Sequence, residues 1–268
     1  MKFTGALFLL LLLTPGLAGC SEDDNPPAEY ELIWADEFEG PAGQLPDSSR
    51  WVFDIGTDWG NLQLEWDTDH PENVSLDGQG NLAITAREES FAGQDYTSGR
   101  IKTKGLFERR YGRFEARIKL PVGQGIWPAF WMLGEDFSTI GWPDCGEIDI
   151  LEARGSQPGV VHGTVHGPGY SGGSGIGSSA YGADFTADFH VFGLTKAPGR
   201  LIWDVDGVPY FELTPEFLPP ESGGWAFDKN FFLILNLAVG GNFLEPPNAS
   251  TPFPSMVEVD YVRVYGEQ

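Results

Sequence analysis

Read for its apolar positions, the chain divides into short runs with a period of two, separated by turns rich in glycine, proline and aspartate. The clearest alternation covers residues 113–120: Arg113, Glu115, Arg117 and Lys119 face one way, and Phe114, Ala116, Ile118 and Leu120 the other, as expected of a strand with one solvated face. Residues 32–38 predict an opening strand, and residues 81–86 predict another after the turn Asp77-Gly78-Gln79-Gly80. Residues 201–211 predict a hairpin turning at Asp206-Gly207, a type I′ pair. Residues 231–239 are apolar on both faces and predict a central, doubly covered strand, while residues 257–265 predict the last one. Asn236 is then a lone polar group within the sheet, either satisfied by backbone or lining a groove. No second linker or repeat interrupts residues 30–268, so one all-β domain of two packed antiparallel sheets is expected.

One run is unlike the others. Glu147-Ile148-Asp149-Ile150-Leu151-Glu152 places three carboxylates in a strand that its aliphatics should bury. Alternation puts Glu147 and Asp149 on one face and Ile148 and Ile150 on the other, but sends Glu152 into the core. A one-residue β-bulge near Leu151 would return Glu152 to the acidic face. Just upstream, residues 126–133 place Trp127, Ala129 and Trp131 on one face, a platform for flat apolar ligands such as sugar rings, or else part of the core.

Composition narrows the partners. The chain has 268 residues, 41% of them apolar, which allows a core of useful size. A formal charge of -23 argues against nucleic acid or an anionic membrane surface, while a neutral ligand remains compatible. The two cysteines, Cys20 and Cys145, give no disulfide framework. Residues 1–19 have the layout of a secretory signal, with an apolar run too short to span a bilayer. Leu17-Ala18-Gly19-Cys20 resembles the lipobox of bacterial lipoproteins, so a lipid-anchored N-terminus at Cys20 is expected, with residues 20–29 as an acidic tether. This predicts an exported lipoprotein at the outer membrane or cell surface.

Carboxylates beside an aromatic platform, with no nucleotide or metal signature, point to glycoside hydrolysis. A retaining enzyme holds its two carboxyls roughly 5 Å apart. The Cα atoms of Glu147 and Glu152 should be roughly 13 Å apart along a strand, so their side chains must converge on the hollow side of a curved sheet. Asp149 between them would push the proton affinities of its neighbours apart. The alternative for the triplet is a divalent-metal site.

The motif residues 141–152, Gly-Trp-Pro-Asp-Cys-Gly-Glu-Ile-Asp-Ile-Leu-Glu, resembles the signature of glycoside hydrolase family 16 in its bulged form. Further segments resemble its laminarinase branch: residues 34–38, 98–105, 111–121, 125–133, 161–170, 236–241 and 260–265. The resemblance implies a β-jelly-roll of two curved sheets with an open concave cleft, cleaving internal β-1,3-glucosidic bonds of laminarin-type glucans with retention. By position it implies Glu147 as nucleophile, Asp149 as assisting acid and Glu152 as general acid/base. It also implies Trp127 and Trp131 as glucosyl-stacking residues on the non-reducing side, Arg100 and Asn61 on glycone subsites, His166 near the leaving group, and Trp142 as a further substrate contact. Catalysis would need no cofactor, although Glu37, the backbone of Gly80 and Asp260 fall where relatives hold a structural calcium. A monomer is expected.

Two segments depart from the pattern, residues 193–197 and Phe243, the latter where relatives often carry Trp. The glycine-rich residues 169–177 have the composition of a flexible loop that could gate the cleft. The alternatives are a family 16 enzyme acting on mixed-linkage β-glucan or a marine galactan, and a non-catalytic glycan-binding surface protein.

Overall fold

The computed structural model describes residues 30–182 and 184–267. The expected leader, Cys20 and tether lie outside the described residues. The strands are β1 (Tyr30–Asp36), β2 (Val52–Phe53), β3 (Glu65–Asp67), β4 (Val74–Leu76), β5 (Leu82–Phe91), β6 (Gln94–Ser98), β7 (Arg100–Lys102), β8 (Gly112–Lys119) and β9 (Ile126–Gly134). They continue with β10 (Glu147–Ala153), β11 (Val160–His166), β12 (Ile176–Tyr181), β13 (His190–Ala197), β14 (Arg200–Val205), β15 (Val208–Leu213), β16 (Phe231–Val239) and β17 (Ser255–Glu267). One sheet runs β15-β14-β13-β8-β17-β5-β6-β3, with β1 added to β17 and β4 to β5. The other runs β12-β11-β10-β9-β16-β7-β2. All pairings are antiparallel except β3 with β6.

The core lies between the two sheets. Phe114, Ala116 and Ile118 of β8, Val259, Val262 and Val264 of β17 and Trp203 of β14 meet Phe130 and Met132 of β9, Ile148, Ile150 and Leu151 of β10, and Leu233, Leu235 and Leu237 of β16. Removing these side chains from water drives the stacking, at roughly 25 cal/mol per Å² of apolar surface. β16 coincides with the predicted central strand and is buried along its whole length. The predicted hairpin is present, with Asp206 and Gly207 both at positive φ (52° and 75°), as a type I′ turn requires.

The polar row of β8 is less solvated than its alternation suggests. Glu115 is 8% exposed. Arg113 donates to both carboxylate oxygens of Asp204 on β14, at 2.6 and 3.0 Å, and to Glu115 at 2.8 Å. The row is covered because Asp204, 91 residues further along, brings a second charge onto it. A further burial lies in the departing segment 193–197. Lys196 is 1% exposed, and its ammonium donates to the backbone carbonyls of Arg110 and Lys229.

Asp204→Ala removes two charge-assisted hydrogen bonds but leaves Arg113 its bond to Glu115, so it is expected to lower unfolding stability by about 1.5–3 kcal/mol, measured by urea denaturation.

Candidate active site

The site is set by a fault in the pairing of β10. Against β9, Glu147 faces Leu133, Asp149 faces Trp131, and then Leu151 faces Phe130 and Glu152 faces Ala129, so two residues of β10 are used for one of β9. Ile150 and Leu151 together stand against Phe130, so the bulge lies beside Leu151, where the sequence pattern requires it. Against β11 the same shift falls between Asp149 and Glu152. Ile150 and Leu151 are both buried in the core, at 2% and 1% exposure. Glu147, Asp149 and Glu152 are consequently paired with Leu133, Trp131 and Ala129, the positions of β9 that share the outer face with Trp127. On β11 the three acids face His166, Thr164 and His162.

Each acid is short of water and close to like charge. The Glu147 carboxyl is pushed up to about 8, first by burial and then by Glu152, with Arg100 and a hydrogen bond from Trp142 pulling the other way. Asp149 is raised well above the ordinary range by burial, Glu152 and Glu147. Glu152 rises to about 7 by burial, opposed by a hydrogen bond from Trp127 and by Arg154. The triplet therefore holds protons near neutrality and can supply both a protonated and an ionised carboxyl.

His166 Nε2 lies 3.5 Å from Asp149 Oδ2 and 3.7 Å from Glu147 Oε1. Burial lowers its pKa to about 4, so it is neutral at pH 7 and adds no positive charge. Glu147, Asp149 and His166 bring donor atoms within 4.8 Å of one another, an arrangement able to accept a cation.

The predicted sugar platform splits in two. Trp131 is half-buried, lies under the Arg100 guanidinium (4.8 Å to the ring centroid) and donates its indole N–H to Asn236 Oδ1 at 2.7 Å. Asn236 is thus answered by a side chain of the outer face. Trp127, in contrast, is 8% exposed, lies 5.1 Å from Phe243 and donates to Glu152 Oε1 at 3.1 Å. It forms a wall around Glu152 and is no open stacking face, because Phe243 covers it. Trp142 is 47% exposed and lies 6.1 Å from the His166 ring. Asn61 is exposed, with its backbone carbonyl accepting from Asn242 N at 2.8 Å.

Arg100, expected on a glycone subsite, is sandwiched between Trp131 and Trp59 (4.9 Å) and donates to Asp54 Oδ2 at 3.0 Å, and several residues around it are not marked by the sequence pattern. Beneath it lie Glu65 and Asp67, each 1% exposed and raised to about 8 and about 7, mainly by burial. Around Glu152, Phe243 is met by the His162 ring edge (5.4 Å) and by the Arg154 guanidinium (4.1 Å). The alternation 162, 164, 166 would have placed His162 beside His166, but nothing local marks Arg154 or Asp54.

The calcium expectation does not fit the side chains present. Both Glu37 oxygens accept from Arg263, at 2.9 and 2.8 Å, and Asp260 accepts from Arg117 at 2.6 Å. Two carboxylates each engaged by its own arginine do not offer a free set of hard oxygen donors.

Residues 59–227 match the sequence profile of glycosyl hydrolases family 16. A beta-glucanase of Rhodothermus marinus is 41% identical to this chain over 97% of its length and 93% of the relative's. Among solved structures, an endo-beta-1,3-glucanase from Pyrococcus furiosus superposes with a TM-score of 0.85 at 46% identity, covering 90% of this chain and 96% of that one. The laminarinase catalytic domain from Thermotoga maritima MSB8 gives 0.84 at 43% identity, covering 90% and 99%. The two sheets are thus the curved layers of a β-jelly-roll. The chain belongs to glycosyl hydrolases family 16.

Proposed function

We propose that this glycoside hydrolase cleaves internal β-1,3-glucosidic bonds of laminarin-type glucans with retention of configuration, Glu147 acting as nucleophile, Glu152 as general acid/base and Asp149 as the acid between them. The observation that carries the reading is the bulged pairing of β10, which puts all three carboxyls on one face with Trp131. The reactive state has Glu147 ionised and Glu152 protonated, the reverse of the order that burial sets in the free site (about 8 against about 7), and Arg100 with the Trp142 hydrogen bond is what favours the Glu147 anion. Glu152 then donates its proton to the departing sugar oxygen while the Glu147 carboxylate attacks the anomeric carbon. Water, deprotonated by Glu152, then releases the glycosyl-enzyme. Asp149 keeps the three groups from ionising together. Its proton affinity is raised by both glutamates, so when Glu147 loses its proton Asp149 can retain one.

The Rhodothermus marinus and Pyrococcus furiosus relatives carry names that specify β-glucan or β-1,3-glucan, and although a keratan-sulfate endo-1,4-beta-galactosidase is also 34% identical over 88% of this chain, the chemistry around the acids favours a neutral polymer. Trp131 and Trp142 offer ring faces, while Arg100 is committed to Asp54 and the chain as a whole is strongly acidic, an arrangement unsuited to sulfated galactans. The family's chemistry requires no catalytic cofactor. We place the enzyme outside the cell as a monomeric lipoprotein anchored at Cys20. Leu17-Ala18-Gly19-Cys20 supports this reading, and incorporation of labelled palmitate by the wild type but not by Cys20→Ser tests it.

Laminarin, lichenan, agarose and xyloglucan should be compared with product sizes followed over time. Laminarin should fall first to mixed oligosaccharides, and early glucose alone would overturn the internal mode of cleavage. Glu152→Gln should lower kcat by about 10²–10⁴-fold, and Glu147→Gln should abolish turnover. Stripping divalent ions with EDTA should leave kcat unchanged.

Glu147→Gln also has a thermal signature. A carboxyl that holds its proton more tightly folded than unfolded stabilises the fold below its unfolded pKa. That contribution is lost as pH rises through the folded value, here about 8. The variant has no proton to lose, so its melting temperature relative to wild type should climb between about pH 5 and about pH 8. Each ~1 kcal/mol relieved adds roughly 2–4 °C. A difference that stays flat with pH would contradict the burial argument.

A further inference from the structure

The bulge that turns Glu152 into the cleft is held from the other sheet. Trp203, at the centre of β14, is fully buried and donates its indole N–H to the backbone carbonyl of Asp149 at 2.8 Å. Carbonyls of a regular ladder lie in the plane of their sheet and point at the neighbouring strand. One that accepts from a side chain of the facing sheet is turned toward the interlayer, and Asp149 is the residue at which both pairings of β10 shift. An interior carbonyl left without a donor loses its hydration uncompensated, so the indole makes the bulged register the one in which this carbonyl is satisfied.

The surroundings leave Trp203 little freedom to do anything else. Its ring stacks on Phe211 at 4.7 Å with 28° between planes. On the other side it meets Gly163 of β11, where a Cβ would fall 2.6 Å from Trp203 Cδ1 and 2.4 Å from the Tyr210 hydroxyl. Gly163 has no left-handed backbone to explain it; what it supplies is the space that lets the indole reach Asp149.

We infer that Trp203 is a positioning residue for hydrolysis. By bonding the Asp149 carbonyl through the core, it holds the extra residue of β10 in place and so keeps Glu152 on the same face as Glu147. The inference rests on Glu152 being the acid/base. Without this bond the strand relaxes toward regular pairing, in which alternation draws Glu152 away from the cleft. Glu147, Trp131 and Arg100 stay where they are, so substrate binding is retained while proton delivery is lost.

The test replaces only the N–H. Incorporating benzothienylalanine at position 203, which keeps the ring size and substitutes sulfur for the indole nitrogen, should lower kcat on laminarin by about 10²-fold, the cost of a misplacement of about 1 Å, while KM stays at its wild-type value. Trp203→Phe should show the same split if it folds. Phe211→Leu loosens the same part of the core without touching the bond. It should lower the melting temperature and keep the wild-type kcat. Wild-type kcat in the benzothienylalanine variant, or an equal kcat loss in Phe211→Leu, would overturn the inference. Glu152→Gln run alongside separates the two claims. If that variant is inactive while the position 203 variants are fully active, only the role of Trp203 fails, whereas an active Glu152→Gln removes the acid/base reading and this inference with it.

Discussion

Three carboxyl groups on one strand repel one another and lose their hydration together, and this constraint shapes the chain around them. Each unit of displaced pKa corresponds to about 1.4 kcal/mol, so ionising Glu147, Asp149 and Glu152 at once would cost several kcal/mol. The nearby histidines do not offset this, because burial leaves His166 neutral. Hydrogen bonds from Trp142 and Trp127 and the charges of Arg100 and Arg154 give partial compensation, and retained protons supply the rest. A fold that must keep these acids close needs stability from elsewhere. The doubly covered β16 and the interlayer aliphatics of β10 are where it comes from.

The period-two pattern carried much of this. Alternation marks β8, an unbroken apolar run marks β16 and the Asp206-Gly207 pair marks the hairpin, while the spacing of acids around Glu147 requires a bulge. What it missed depends on partners distant in sequence. Residues 113–120 read as half solvated because Asp204 arrives from 91 positions away. Trp127 and Trp131 are equivalent by spacing, yet only Trp127 is covered, by Phe243 from a loop more than a hundred residues on. Nothing local marks Glu65 and Asp67, which become a buried acidic pair where Trp59 bonds Asp67 and Arg100 stacks on Trp59. The bulge of β10 lies at Ile150 and Leu151, as the pattern requires, but the pattern does not show which donor meets the Asp149 carbonyl at the shift.

Arg100 links this second acidic pair to the first group. Its charge lowers the proton affinity of Glu65, Asp67 and Glu147 alike, and its Nε is bonded to Asp54. One guanidinium therefore stands among four carboxyls, held flat between Trp59 and Trp131. Stacking fixes its plane and Asp54 fixes its direction. Lysine would supply the charge but neither the plane nor the fork. The same ring that presents a face for sugar, Trp131, is thus oriented by Asn236 at its N–H and by Arg100 on one side.

These arrangements suggest why the two walls of the cleft are built differently. On the Arg100 side, fixed charges and stacked rings give a rigid surface suited to recognising a sugar already in place. On the Glu152 side, the acid is enclosed by Trp127, Phe243, His162 and Arg154, of which only Arg154 carries a permanent charge. Burial there favours the protonated carboxyl, and Arg154 with the Trp127 N–H stabilises the anion left once the proton has gone. A group that must give up a proton and take it back needs both states within reach. Surroundings that were wholly apolar or strongly cationic would favour one of them too far.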